Sequence, residues 1–166
     1  MTHLKSVLLA LFGAASLVIG SAAIAAAHSS HDIVVFDSMT PVTGAAVGAV
    51  NDRGITGGGK PWVITSGSGE VDRDGTVHVT VQGLIIPASA GFGFNPVKMF
   101  GATVSCITPD GVVNLRTATA PATTSGDSTI DGSVSLPHPC KDPILFVTSP
   151  GGAWFAMSNP ADEEED

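Results

Sequence analysis

The residues best placed for chemistry are His28 and His31. If a leader is removed after Ala27, His28 presents its α-amino group and a ring nitrogen together, a chelate that suits Cu(II). His31, or the later His78 or His138, would complete the ligand set. Cleavage after Ala25 would abolish that chelate, and no partner stands at a defined spacing. The expectation is therefore a solvated terminus and no cofactor, with copper on His28 and His31 as the alternative.

Other chemistries find less support. Glu70-Val71-Asp72-Arg73-Asp74-Gly75 has the alternating acids and glycine of half a calcium loop, but the position six residues beyond the glycine, where a bidentate acid belongs, is Val81. Asp-Gly between alternating strands reads instead as a hairpin turn. Ser66-Gly67-Ser68-Gly69 lacks the spacing of a nucleophile elbow, and the sequence places neither an acid nor a nucleophile beside His78. The carboxylates fall mainly in turns and in the acidic end Asp162–Asp166, where raised pKa values are not expected. A non-catalytic protein is the expectation.

Aromatic side chains offer contact surfaces rather than reactions. Trp62 and Trp154 have the flat faces on which sugars stack, yet both lie in apolar stretches of a chain without tyrosine, so both are read as core. Phe92 and Phe94, set among glycines in Ala90-Gly91-Phe92-Gly93-Phe94-Asn95, are better suited to an exposed contact. The two cysteines, Cys106 and Cys140, carry no metal-ligand spacing and are read as one disulfide. The closed loop of about 35 residues is worth about 3.8 kcal/mol in the chain-entropy treatment.

The chain that must position these groups begins with a leader. Met1–Lys5 is short and basic, Ser6–Ile24 is apolar, and Ala25-Ala26-Ala27 is a small-residue cleavage site, so residues 1–27 are read as a signal peptide. Residues 28–159 form the expected single domain, and 160–166 a disordered acidic tail. No later stretch has the roughly 18 apolar residues of a membrane helix. The formal charge is −8, from 7 Lys+Arg against 15 Asp+Glu, and losing Lys5 with the leader makes it more negative. That balance excludes nucleic acid and anionic membrane surfaces as partners, since both select basic patches.

No helical periodicity appears after the leader. Pro143–Met157 reads as two apolar strands around a Ser-Pro-Gly-Gly turn, with both faces covered. Thr76–Gln82 alternates strictly, with Val77, Val79 and Val81 inward and Thr76, His78, Thr80 and Gln82 in water. Further strands are expected over Ile33–Phe36, Pro61–Thr65, Glu70–Asp72, Val97–Thr108 and Val112–Arg116, and from Ile130 to Leu136. Leu84–Ile86 extends the Thr76 strand, and Ser66–Gly69 is a turn. Ser38–Lys60 reads as a long loop, with one short edge strand near Val47–Val50; Thr117–Ser128, rich in Thr, Ala and Ser, reads as an exposed loop or an O-glycosylated segment. Seven to nine short strands and one disulfide predict an all-β, antiparallel two-sheet sandwich, immunoglobulin-like or Greek key.

The strings Gly57-Gly58-Gly59-Lys60-Pro61-Trp62-Val63-Ile64, Asp37–Gly44 and Ser149-Pro150-Gly151-Gly152-Ala153-Trp154-Phe155-Ala156 resemble those of a family of small secreted bacterial proteins. The resemblance implies export and a β fold, and brings no reaction or catalytic residue with it. The expected function is a secreted, envelope-associated binding or structural module with a cell-surface protein or glycan partner. Its contacts are expected in the Ser38–Lys60 loop and the Ala88–Pro96 loop.

Overall fold

The alternating valines of Thr76–Gln82 need a second apolar layer to cover them, and the fold supplies it with a second sheet. A computed structural model of the chain describes residues 32–159. The first sheet contains β1 (Asp32–Phe36), β3 (Ser66–Asp72), β4 (Thr76–Gln82) and β8 (Ser128–Ser133), in the order β1-β3-β4-β8. The second contains β2 (Met39–Pro41), β5 (Met99–Thr108), β6 (Gly111–Arg116), β9 (Lys141–Thr148) and β10 (Trp154–Ser158), in the order β2-β10-β9-β5-β6. A two-residue β7 (Ala120–Pro121) pairs with the start of β5. All named pairings are antiparallel. The chain is thus an all-β, two-sheet sandwich, with ten strands among the described residues rather than seven to nine. The additional strands, β2 and β7, are too short to show as alternation.

One core joins the sheets. Val34, Phe36, Val71, Val77, Val79, Val81 and Ile130 face it from the first, and Phe100, Ala102, Val104, Cys106, Leu145, Val147 and Ala156 from the second. The expected inward face of β4 is observed, and Thr76, His78 and Gln82 are exposed on the other side. Cys106 and Cys140 form the expected disulfide, which ties β5 to the start of β9. The β9–β10 hairpin lies inside its sheet, and Leu145, Phe146, Val147 and Thr148 are buried in succession, as a strand covered on both faces requires.

Several local expectations are overturned. Ser66–Gly69 is strand, not turn. Its period of two runs serine outward and glycine inward, because the inward space is taken. A Cβ at Gly67 would lie 2.7 Å from Met39 Cγ, and one at Gly69 would lie 2.9 Å from Phe36 Cζ. Pro61–Thr65 is not a strand: only Val63 pairs, with Ile85, since Pro61 has no N–H and the Trp62 N–H goes to Val42 O. Leu84–Ile86 does not continue β4. Gly83 turns the chain at φ +65°, and the Leu84 N–H leaves the ladder for Gly126 O. β8 ends at Ser133, short of Leu136.

The glycine-rich stretch after β2 is a cover rather than a free loop. A 3₁₀ turn at Gly44–Ala46 precedes bridges Val50–Thr56 and Gly57–Trp154, and no edge strand forms over Val47–Val50. The chain then crosses the outer face of the second sheet to β6, where Asn114 Nδ2 donates to Arg53 O at 2.8 Å. Arg53 Nη2 donates to Asp142 O at 2.9 Å, and Ile55 is buried. The Thr117–Ser128 segment is likewise ordered. Its Thr123 and Ser125 hydroxyls bond to Asp127, and Ser128 Oγ donates to Pro121 O.

Candidate functional site

Phe92 and Phe94, the pair expected to be exposed, do face solvent. They are 38% and 45% exposed, with ring centroids 5.6 Å apart and planes tilted by 55°. The loop that carries them follows a 3₁₀ turn at Ala88–Ala90, capped by Gly91 at φ +92°, where a side chain would be strained. Gly93 N–H donates to Ile86 O, and Ile86 N–H to Phe94 O, so the two rings flank a closed loop. Asn95 then pins it. Buried, it donates from Nδ2 to Val97 O at 2.7 Å and to Thr123 O at 2.9 Å, while its Oδ1 accepts from Val97 N–H at 2.9 Å. Its own N–H donates to Thr124 O. Two large apolar side chains are therefore held toward solvent by a braced backbone, which reduces the ordering cost of any contact they make.

The other aromatic residues are internal. Trp62 stacks on Phe155 at 4.0 Å and meets Phe100 edge-on, and Trp154 meets Phe146 edge-on at 5.8 Å. With exposures of 2% and 4%, neither tryptophan offers a face to a sugar. Gly58 has its reason here: a Cβ at this position would lie 2.9 Å from Trp62 Nε1 and 3.0 Å from Phe155.

His28 and His31, the proposed copper ligands, lie outside the described residues, as do the cleavage site and the acidic tail. Among the described residues no group of three or more His, Cys, Asp or Glu side chains could hold a metal. The half calcium loop is the β3–β4 hairpin turn, in which Thr76 N–H donates to Asp74 Oδ1 and Gly75 N–H to Asp72 O.

Register reveals a pair that linear spacing hides. His78 on β4 lies directly opposite Asp131 on β8, and Nδ1 approaches Oδ1 to 2.5 Å. Both side chains are well exposed, so the pair is screened and worth little to stability. Asp32 and Asp72 are opposite one another at the edge of the same sheet. A hydrogen bond to Asp32, reinforced by burial and the charges of Asp32, Asp74 and Glu70, raises the Asp72 carboxyl above its usual range. Conversely, hydrogen bonds from Ser125 and from Gly83 N–H hold the Asp127 carboxyl below its usual range.

Within the Ser38–Lys60 segment Arg53 and Ile55 are buried against the second sheet, while Val50 and most of its neighbours are exposed. The segment also walls one side of a cleft on that sheet. Searches against family models, curated proteins and solved structures found no match to this chain.

Proposed function

We propose that the protein is exported and acts outside the cytoplasm as a non-catalytic β-sandwich, an envelope-associated binding or structural module. The Phe92–Phe94 loop makes its contact, and the partner is a protein or glycan of the cell surface. The observation that carries this reading is the exposed ring pair on a loop whose backbone is pinned by Asn95. Aromatic residues combine large buried area with few rotatable bonds, and are enriched at the centres of interfaces. The leader-like first 27 residues and the Cys106–Cys140 disulfide support export, since disulfides persist in oxidising compartments. Among the described residues no helix is long and apolar enough to cross a membrane.

The test is the double variant Phe92→Ala/Phe94→Ala, expressed in the producing cell and followed by fractionation into medium and cell-associated protein. Both rings are exposed, so its thermal midpoint should match the parent while its cell-associated fraction falls. An unchanged cell-associated fraction overturns the proposal.

A further inference from the structure

We propose that the outer face of the second sheet carries a binding site for a small hydroxylated carboxylate, of the chemical class of a single uronic acid unit. The site uses none of the Phe92–Phe94 loop. It is a cleft of about 270 Å³ whose polar lining is Thr56, Thr103, Asn114 and Arg116, closed by the turn Gly151–Ala153. Asn114 and Arg116 are two apart on β6 and so share a face, and Thr103 is the cross-strand partner of Arg116 on β5. The cover segment brings Thr56, and the β9–β10 turn brings the glycines.

Arg116 is already in position. Gly152 sits at φ +91°, and a Cβ there would overlap the guanidinium at Nη2 and Cζ, so the turn and the side chain occupy one another's space. The Arg116 side chain is exposed and, among the described residues, its guanidinium makes no hydrogen bond or ion pair; no carboxylate lines the cleft. An oriented, unpaired guanidinium is a planar fork of donors that matches a carboxylate bidentately.

The ground around it is short of partners too. Thr103 is 1% exposed, and its hydroxyl reaches only Thr148 Oγ1 at 3.4 Å, the outer limit of a hydrogen bond. Next on that face, Ser105 Oγ is buried with no partner, as are Trp154 Nε1 and, in the cover segment, Arg53 Nη1. Buried polar groups are almost always satisfied, so these unpaired atoms mark the face as unusually polar; none of the three lines the cleft itself, whose polar contacts come from Thr56, Thr103, Asn114 and Arg116.

Size and charge narrow the class. The volume lies below the roughly 300–1,000 Å³ of sites for drug-sized ligands, which suits one sugar or amino-acid unit. One cation and no anion match a monoanion better than a phosphate dianion. The neutral lining of hydroxyl, amide and backbone groups suits hydroxyls rather than an apolar body.

The test is a titration of the isotope-labelled full chain, followed by amide chemical shifts, with sodium glucuronate, glucose and inorganic phosphate. Glucuronate should give saturable shifts at Thr56, Thr103, Asn114 and Arg116, and glucose should give none. Arg116→Gln and Arg116→Lys, which removes the fork and keeps the charge, should each weaken binding at least tenfold with an unchanged thermal midpoint. The methyl glycoside of glucuronate, compared with the free acid, separates the end of a polysaccharide from a free sugar acid; saturable binding of either supports the site, and the tighter names the source. The proposal is overturned if glucuronate shifts do not saturate or map elsewhere, if phosphate binds as tightly, or if Arg116→Gln titrates like the parent.

Discussion

The carboxylate of Asp127 accepts a hydrogen bond from the backbone N–H of Gly83, with Oδ1 2.9 Å from the nitrogen, across 44 residues of sequence. Gly83 is where β4 ends and the chain turns, so this bond joins the close of one strand to the loop that leads into β8. Ser125 Oγ donates to the other oxygen at 2.7 Å, and Gly126 O receives the Leu84 N–H. One acid thus organises two loops that are distant in sequence.

Its titration should therefore be visible in stability. Hydrogen bonds from Ser125 and Gly83 favour the ionised form and hold the folded pKa below the unfolded value of 3.8. A depressed folded pKa adds stability above the unfolded pKa, and that stability is lost as pH falls through the folded one. Asp127→Asn keeps an acceptor for Gly83 but loses the one for Ser125. Its thermal midpoint should lie below the parent's at pH 7, and the gap should close on acidification below pH 3.8. A gap of the same size at every pH would assign the effect to packing instead.

Asp72 gives the opposite sign. Its hydrogen bond with Asp32 and the neighbouring negative charges favour the protonated form, so its folded pKa lies above 3.8. The folded state then holds more proton than the unfolded one, and stability declines as pH rises from 3.8 through the folded pKa. Asp72→Asn removes that loss. The variant should melt above the parent at pH 7 and level with it at pH 3, as read by circular dichroism at both pH values.

The part of this fold that is local in sequence is legible there. Val77, Val79 and Val81 announce a half-wet strand by themselves, and Ser149-Pro150-Gly151-Gly152 announces its hairpin. Two of the misreadings share a cause, which is that a deciding atom belongs to a distant residue. Ser66–Gly69 has turn composition, yet its glycines are inward strand positions vacated for Met39 and Phe36. Leu84 is apolar enough to extend β4, but its N–H is claimed by Gly126. The cleft was invisible for the same reason: Arg116 and Thr103 meet only through the register of β5 with β6, and Gly152 meets Arg116 only once β10 has folded back. The exposure of Phe92 and Phe94 is legible because its signal, two aromatics between glycines, is contiguous.

The disulfide should be a large part of the stability. Cys106 and Cys140 close a span containing β6, β7 and β8, with a separation of 34 residues. Constraining a loop of that length in the unfolded chain contributes about 4 kcal/mol. Cys106→Ala/Cys140→Ala should lower the unfolding free energy by about that amount, measured by urea titration, and leave the denaturant midpoint insensitive to reductant. The parent's midpoint should fall on reduction. A parent that is indifferent to reductant would place the stabilisation elsewhere.

Intrinsic fluorescence gives a direct reading of the core and of its cover together. The chain has two tryptophans and no tyrosine, so all emission excited at long wavelength comes from Trp62 and Trp154. Trp62 is enclosed by Phe155 and Phe100, and Trp154 lies on the outer face, where its backbone N–H donates to Thr56 O of the cover segment. Native emission should be blue-shifted and resistant to iodide. Asn51→Ala removes the Oδ1 that accepts from Arg53 N–H at 3.0 Å and Ile55 N–H at 2.9 Å, so it leaves two donors in the cover without a partner. Such a loss costs about 1–3 kcal/mol, concentrated in that segment. The variant should expose Trp154 while Trp62 stays enclosed, so about half of the emission becomes accessible to iodide. Quenching of both residues together would mean that the cover and the core unfold as one unit; quenching of neither would mean that Arg53 and Asn114 hold the segment without Asn51.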